Sequence, residues 1–274
     1  MIGQTRFAIT VVLAALALAL LLPFHALAMV IGGRSNMRVA QLWQRFVCYL
    51  VGIRISVAGA PARERPLLLL SNHSSWLDIP ILAAVAPVSF IAKSDVADWP
   101  VVGLLARLQH SVFVDRARRQ ATAERTEEVA GRLSKGDIIV LFAEGTSSDG
   151  NKVLPFRSAL VGAAQQAIGT NGAAYVQPVA IAYERFLGMP LGRQHRPLLA
   201  WYGDMDLFPH LKHVLSEGGI DVQVVFGPVR ALTPADDRKA VTREAGETVR
   251  CLVASINAGR SAQQVLNCDG IPNP

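Results

Sequence analysis

The sequence predicts an α/β domain with a largely parallel or mixed sheet flanked by helices, preceded by an N-terminal membrane anchor and an amphipathic helix. From residue 52 onward, short apolar runs alternate with longer helical patterns, as in domains built on parallel strands. The runs LLLL and IIVLF are apolar throughout, which is typical of strands buried on both faces. Hydrophobic residues make up 51% of the 274 residues and charged residues only 18%, which excludes a disordered chain.

The predicted elements follow one another without an internal repeat. Seven strands are predicted from short apolar runs: Ile53–Val57, Leu67–Ser71, Val88–Ala92, Val112–Asp115, Ile138–Phe142, Val176–Ala182 and Val222–Phe226. Helical patterns lie between and after them: 79–86, 97–108, 117–134, 157–168, 206–217 and 235–258. We therefore predict one folded domain over residues 52–260, followed by a loose tail over 261–274 that has turn residues and no period.

The net positive charge is confined to the first quarter of the chain. Residues 1–63 contain six arginines and no acidic residue, whereas the remaining 21 basic and 21 acidic residues cancel. A nucleic-acid-binding protein would carry its basic residues on the folded domain, so we predict no nucleic-acid partner. Positive charge around an apolar segment points instead to an anionic membrane surface.

Residues 7–31 form an apolar segment of 25 residues without Lys, Arg, Asp or Glu. About 20 such residues cross a bilayer as a helix. The alternative is a cleaved signal peptide, since Ala26-Leu27-Ala28 resembles a cleavage site. The segment exceeds the usual apolar core of a signal peptide, so we favour an uncleaved anchor. Arginines are more numerous after this segment than before it, which predicts a body on the cytoplasmic side.

Residues 36–51 are predicted to form an amphipathic helix. One stripe is apolar, and the opposite stripe contains polar and basic residues: Val39, Leu42, Trp43, Phe46, Val47 and Leu50 against Arg38, Gln41, Arg45 and Cys48. A helix that turns its apolar stripe toward the folded core is one interpretation. Its position after the anchor favours the other, a helix at the lipid interface.

A polar loop with His73 and Asp78 follows the predicted strand Leu67–Ser71. In α/β domains ligands bind at the carboxyl edge of the strands. A bent loop brings the imidazole and the carboxylate together, and the carboxylate then orients the imidazole for proton transfer. The alternative, a loop histidine followed by an aspartate that caps the next helix, is equally compatible with the pattern.

A second polar loop, with Glu144, Gly145 and Thr146, follows the predicted strand Ile138–Phe142. A glycine there permits the backbone to approach a ligand closely. Taken alone, this loop is best interpreted as a polar turn.

The two loops together resemble the glycerolipid acyltransferases, most closely the bacterial 1-acylglycerol-3-phosphate type. His73-x4-Asp78 corresponds to the first block of that family, and Phe142-Ala143-Glu144-Gly145-Thr146 to a later one. Two further stretches also match. Residues 92–116 correspond to a block with a lysine and a terminal Asp-Arg, and residues 176–181 to a block that is a proline-containing strand. The resemblance covers roughly residues 60–185, with four blocks in order.

This resemblance implies transfer of a fatty acyl group from an acyl carrier protein or coenzyme A thioester to the hydroxyl of a lysolipid in the membrane. His73 would be the general base and Asp78 its orienting partner. Glu144, Gly145 and Thr146 would hold the acceptor. No metal and no organic cofactor is implied, and the domain at 52–260 would sit on the cytoplasmic face of a bacterial inner membrane.

Ser147 departs from the family pattern, which commonly has arginine at this position to contact the acceptor phosphate. Other cations are available to restore that contact: Lys93, Arg116, Lys152 and Arg157. We therefore expect 1-acylglycerol-3-phosphate as acceptor, and lyso-ornithine lipid as the alternative, because its amino-acid head group does not need that arginine.

Rival functions are a non-catalytic lipid-binding protein and a lysolipid hydrolase. The first would tolerate loss of the His73–Asp78 pair, which is intact, and the second would need a nucleophile elbow, which the sequence lacks. Cys48, Cys251 and Cys268 are too widely spaced for a cysteine metal site. His210 and His213, three residues apart, are interpreted as part of an exposed helix face rather than as metal ligands.

Overall fold

The computed structural model describes residues 2–31, 35–114, 119–168, 172–260 and 264–265. Arg116, Cys268 and nearly all of the predicted tail lie outside these residues. The structure confirms the predicted fold class, a mixed sheet flanked by helices behind a long apolar helix.

The nine described strands form one sheet. They are β1 (Ile53–Ala58), β2 (Leu67–Ser71), β3 (Ser89–Lys93), β4 (Val112–Val114), β5 (Ile138–Phe142), β6 (Ala174–Phe186), β7 (Met189–Pro190), β8 (Ile220–Phe226) and β9 (Arg230–Leu232). The main order is β1-β8-β6-β2-β5-β3-β4, with β7 and β9 paired to β6. Strands β6, β2, β5, β3 and β4 are parallel, whereas β8 runs antiparallel to β6.

Strand β6 is longer than the predicted Val176–Ala182. It runs for 13 residues because successive partners extend along it: β9 and β2 pair with its first half, and β8 and β7 with its second. The short strands β7 and β9 were not predicted, since two or three residues leave no period in a sequence.

Eight α-helices are described: α1 (Ile2–Ile31), α2 (Ser35–Val51), α3 (Asp78–Val85), α4 (Val102–Leu108), α5 (Arg119–Ser134), α6 (Gly162–Gln166), α7 (Leu207–Glu217) and α8 (Arg238–Asn257). The predicted helix 97–108 is divided into a 3-10 helix, Ser94–Asp98, and α4. The predicted helix 157–168 shortens to α6, because its first residues form an extended segment and turns.

The two faces of the sheet bury alternate residues of the same strands. On one face Leu67 and Leu69 of β2 pack with α3, and on the other Leu68 and Leu70 pack with α5 and α6. Helix α8 covers the same side of β6 and β8 through Ala180 and Val225. The continuous apolar run of β2 follows from this burial on both faces.

Helix α2 buries one face against the rest of the protein and leaves part of its apolar stripe outside. The buried residues are Met37, Ala40, Gln44, Cys48 and Val51. Gln41 and Arg45 donate to the carbonyl oxygen of Ala84 at the end of α3, at 3.1 and 2.8 Å. In contrast, 55% of Leu42 and 36% of Phe46 stay exposed. In a water-soluble domain the outer face of such a helix is usually polar.

Helix α1 lies along the domain. Near its start, Arg6 donates to the carbonyl oxygen of Val51 at 2.7 Å, and in its middle the carbonyl oxygen of Ala14 accepts from the indole of Trp43 at 3.2 Å. Near its end, Met29 Sδ lies 3.0 Å from His110 Nε2. One side of α1 is therefore covered by the domain, and the other exposes leucine and valine side chains.

Candidate active site

The strand register brings the two polar loops together. Ser71 of β2 pairs with Phe142 of β5, so His73 and Glu144 each lie two residues beyond a matched pair at the same edge of the sheet. The backbone N–H of His73 donates to Oε1 of Glu144 at 2.8 Å. The structure thus joins the two motifs that the sequence treats separately.

His73 and Asp78 form the predicted pair. Nδ1 of His73 lies 2.8 Å from Oδ2 of Asp78, across a bent loop of five residues. The aspartate was interpreted as a possible helix cap, and this is wrong: Asp78 is the first residue of α3, and Leu77 is the cap position. Its carboxylate turns back toward the loop, where Oδ2 also accepts from the backbone N–H of Ser74 and of Ser75, at 2.8 and 3.0 Å.

Tyr183 contacts the other carboxylate oxygen of Asp78. Its hydroxyl donates to Oδ1 of the aspartate at 2.6 Å, and both side chains are buried. Burial, and then the neighbouring carboxylate, raise the pKa of Tyr183 well above its usual value. The phenol therefore keeps its proton and stays a donor. Sequence reasoning missed this residue because it is 105 positions from Asp78.

The imidazole of His73 is held from two sides. Its ring stacks on Phe142 with centroids 4.0 Å apart and planes 16° from parallel. Since Nδ1 is turned to the buried Asp78, Nε2 is the nitrogen left for a substrate hydroxyl. The side chain is 17% exposed, so the ring is accessible but its orientation is fixed.

The carboxylate of Glu144 accepts hydrogen bonds from the backbone and is not turned toward solvent. Its carboxylate is buried, and its second oxygen accepts from the backbone N–H of Leu154 at 2.9 Å. Burial raises the pKa of Glu144 to about 7, even though the two backbone donors oppose that shift. An acceptor lipid at this carboxylate would have to compete with those donors.

Two further contacts fix the His73 loop to the sheet. The side-chain amide of Asn72 donates to the carbonyl oxygen of Ile181 and accepts from its N–H, both at 2.9 Å. The backbone N–H of Ser148 donates to the carbonyl oxygen of His73 at 2.9 Å. These contacts come from β6 and from the second loop, so the sequence around His73 does not predict them.

The remaining predicted site residues lie around the same edge. Lys93 ends β3, where it is exposed and ion-paired with Asp95. Arg157 is exposed, and its backbone N–H donates to the carbonyl oxygen of Ala143 at 2.8 Å, beside the second loop. Ser147 is half-buried.

The turn of the second loop is made by Gly145, whose φ of 78° lies in the left-handed region that favours glycine. Its N–H donates to the carbonyl oxygen of Phe142 at 3.2 Å, and Thr146 beyond it is exposed. No group of three or more His, Cys, Asp or Glu residues suited to a metal ion occurs among the described residues.

The geometry fixes the orientation of the His73 imidazole at the edge of the sheet. An imidazole whose Nδ1 hydrogen is held by a carboxylate can accept a proton at Nε2, as in hydrolase triads. This is the chemistry by which a hydroxyl is activated toward an acyl group.

Comparison with known proteins agrees with this chemistry. The chain belongs to the acyltransferase family, whose model matches residues 54–182. It is 51% identical to the lyso-ornithine lipid O-acyltransferase of Brucella abortus (strain 2308), covering 95% of this chain and 98% of that protein. It is 43% identical to the protein of the same name from Rhizobium meliloti (strain 1021), with 95% and 90% covered.

More distant relatives carry another name. A 1-acyl-sn-glycerol-3-phosphate acyltransferase of Neisseria gonorrhoeae is 34% identical over 72% of this chain and 73% of its own. The crystal structure of a 1-acyl-sn-glycerophosphate (LPA) acyltransferase from Thermotoga maritima has the same fold, with a TM-score of 0.65 and 21% identity, covering 95% of this chain and 96% of that one. The predicted family is therefore confirmed.

Proposed function

We propose that this protein is a membrane-bound lyso-ornithine lipid O-acyltransferase. The observation that carries the proposal is the difference in identity between the two groups of relatives: 51% and 43% over nearly the whole chain, against 34% over 72% of it. Ser147 supports it, since an ornithine head group does not call for an arginine there. The sequence alone favoured 1-acylglycerol-3-phosphate, and the identities reverse that preference.

In the proposed reaction, Nε2 of His73 removes the proton of the lysolipid hydroxyl while the oxygen attacks the thioester carbonyl. Asp78 stabilises the imidazolium that forms. The C–S bond then breaks, the new C–O bond remains as the ester, and the imidazolium returns its proton to the leaving thiolate. The donor is an acyl carrier protein or coenzyme A thioester, as the family resemblance implies.

Glu144 is proposed to position the loops rather than to hold the acceptor by its carboxylate. It ties the backbone of His73 to that of Leu154, so it sets the distance between the general base and the second loop. Acceptor contacts then fall to other residues of this edge: the exposed Thr146, Lys93 and Arg157 and the half-buried Ser147. Arg116, outside the described residues, stays a predicted acceptor contact.

A second acceptor, 1-acylglycerol-3-phosphate, is favoured by the Neisseria relative and by the exposed cations Lys93 and Arg157 near the site. A phosphate binds such cations by charge-assisted hydrogen bonds. The two acceptors are compatible in one enzyme if the head-group contacts are few.

Attachment to the membrane is proposed to use α1 and α2 together. Helix α1 is the described helix that is long and apolar enough to cross a bilayer, over Ile2–Val30. Because the domain contacts α1 near both ends and in the middle, the exposed side of α1 and the exposed Leu42 and Phe46 of α2 are proposed to form one lipid-facing surface. We infer that this surface holds the domain at the cytoplasmic face of a bacterial inner membrane.

The deciding experiment uses the purified full chain in vesicles, with acyl carrier protein and coenzyme A donors offered separately. Lyso-ornithine lipid and 1-acylglycerol-3-phosphate are compared at equal surface concentration. Acylation of lyso-ornithine lipid with the higher kcat/KM is expected. Acylation of 1-acylglycerol-3-phosphate alone would replace the proposal by the second acceptor, and acylation of neither would reject both.

A further inference from the structure

A second polar pair lies against the loop that carries His73. Trp76, within this loop, donates its indole Nε1 hydrogen to Nδ1 of His210 at 2.9 Å, and the two ring planes meet at 90°. His210 lies on α7 and is only 7% exposed. The interpretation of an exposed helix face is therefore wrong for His210, because α7 turns this residue inward toward the loop.

This hydrogen bond requires a neutral His210 with its own hydrogen on Nε2. Burial lowers the pKa of His210, with a smaller contribution from His213, and so favours the neutral ring. The carbonyl groups of Leu198 and Ala200 act on the ring in the opposite direction. Nε2 is buried and forms no hydrogen bond to any residue in the described ranges. The bond to Trp76 thus holds the ring of His210 at Nδ1.

The loop depends on such outside contacts because residues 72–75 form no helix or strand. Its backbone is held by Glu144 and Ser148 on one side, and the carbonyl oxygen of Ser74 accepts from the N–H of Trp201 at 2.8 Å on another. Trp76 is the large side chain between His73 and Asp78, so a shift of its indole moves the backbone that joins the two.

We propose that His210 is a positioning residue that holds the indole of Trp76 and thereby keeps the imidazole of His73 aligned with Asp78 and the attacking hydroxyl. This positioning role rests on the proposed acyl transfer and assigns to it a residue that does not touch the reacting groups. Misplacement of a catalytic group by about 1 Å costs on the order of a hundredfold in rate. A change that acts only through the geometry of His73 lowers kcat and leaves KM unchanged.

The test compares two substitutions of His210. His210→Leu removes the acceptor, whereas His210→Asn keeps an oxygen near the position of Nδ1. We expect His210→Leu and Trp76→Phe each to lower kcat by about ten- to a hundredfold with KM for both substrates within about twofold. His210→Asn should recover most of the loss. The matched control is His213→Leu, one turn further along α7 and exposed, which should keep wild-type kcat.

The double variant separates positioning from general destabilisation. If the pair acts as one unit, Trp76→Phe with His210→Leu is no slower than the worse single variant. Losses that multiply, or a His210→Leu enzyme with wild-type kcat, would overturn the proposal. If His210→Leu does not fold, the comparison is made between Trp76→Phe and His210→Asn. Equal losses of kcat in these two variants would contradict the positioning role.

A second measurement does not depend on turnover. Diethyl pyrocarbonate modifies accessible imidazoles, and peptide mass spectrometry reports its rate at His73 in the full chain. We expect modification of His73 to be several-fold faster in His210→Leu than in the wild type or in His213→Leu, since a loosened loop exposes the ring. An unchanged rate of modification at His73 would overturn the positioning role. This readout does not need turnover, so it is independent of the proposed function, which fails separately if the wild type acylates neither lysolipid.

Discussion

Tyr183 donates its hydroxyl hydrogen to Asp78 at 2.6 Å, on the carboxylate oxygen that His73 does not use. The two oxygens of the aspartate therefore have separate contacts: one holds the imidazole of His73 and the other anchors the carboxylate to β6. The strand beneath the loop takes part in the site through this contact.

The first prediction concerns Tyr183. Tyr183→Phe removes one hydrogen bond to a charged group, a loss of about 1.5–3 kcal/mol, so we expect kcat to fall about tenfold with KM little changed. The check is steady-state kinetics of the purified variant. Tyr175→Phe on the same strand is the control, because it makes the same change at the opposite end of β6. Wild-type kcat in Tyr183→Phe would show that the anchor is dispensable.

The general base gives the second prediction. His73→Ala should abolish acyl transfer while the protein still folds and associates with membranes, since a positioned base contributes roughly 10²–10⁴-fold. Asp78→Asn should also lose most activity, because the amide removes the charge and presents a donor to the N–H groups of Ser74 and Ser75. Turnover near that of the wild type in either folded variant would contradict the roles assigned to His73 and Asp78.

Glu144 predicts a dependence of stability on pH. Its pKa is raised by burial from 4.5 to about 7, so the native state favours the neutral carboxyl. That stabilisation is complete below pH 4.5 and is lost as the pH rises to about 7. Relative to Glu144→Gln, the free energy of unfolding of the wild type should fall by up to about 3 kcal/mol across this window.

Urea unfolding in detergent at several pH values, followed by tryptophan fluorescence, measures this difference. The Glu144→Gln variant carries a constant offset, because the introduced amide donor faces a backbone N–H at every pH. Glu247→Gln, exposed on α8, controls for loss of a charge alone. A difference between wild type and Glu144→Gln that does not change with pH would contradict the prediction.

Acceptor choice is predicted to depend on Ser147. Ser147→Arg should raise kcat/KM for 1-acylglycerol-3-phosphate relative to lyso-ornithine lipid by about tenfold or more, since a charge-assisted contact to phosphate adds about 1.5–3 kcal/mol. Ser147→Gln matches the length without the charge and should leave the ratio near wild type. Competition between the two lysolipids in one vesicle preparation measures the ratio directly, and equal ratios in both variants would exclude Ser147 from the head-group site.

Membrane attachment is better tested on α2 by point substitutions than by deletion of residues 1–51, which would also uncover α3. Leu42→Glu combined with Phe46→Glu places two charges at the exposed apolar positions of α2, and we expect binding to anionic vesicles to fall at least tenfold. Ala254→Glu, exposed on α8 on the opposite side of the sheet, is the control. Vesicle sedimentation provides the measurement, and unchanged binding would assign attachment to α1 alone.

The sheet and the two polar loops at its edge were predictable because their signals are local. β2 and β5 are short apolar runs, and the polar residues that follow them mark strand ends without knowledge of the partner strand. The pairing of His73 with Asp78 follows from one loop. The family resemblance then identified the second loop, which its own pattern had left as a turn.

What the sequence missed depends on distant contacts. Asn72 bonds Ile181 across 109 residues, and Trp76 bonds His210 across 134. The direction of the Glu144 carboxylate follows from the register of two strands, which an apolar pattern does not contain. Arg116 stays a prediction, since it lies outside the described residues.

Strand β6 has a consequence for how the enzyme acquires activity. The hydrogen bonds of Asn72 and Asp78 both end on β6, more than 100 residues further along the chain. During synthesis the His73 loop therefore emerges long before the strand that fixes it, and formation of such distant contacts is slow compared with local structure. Catalytic competence should then appear late in folding, after the sheet has closed around β6 and not when the histidine loop is first made.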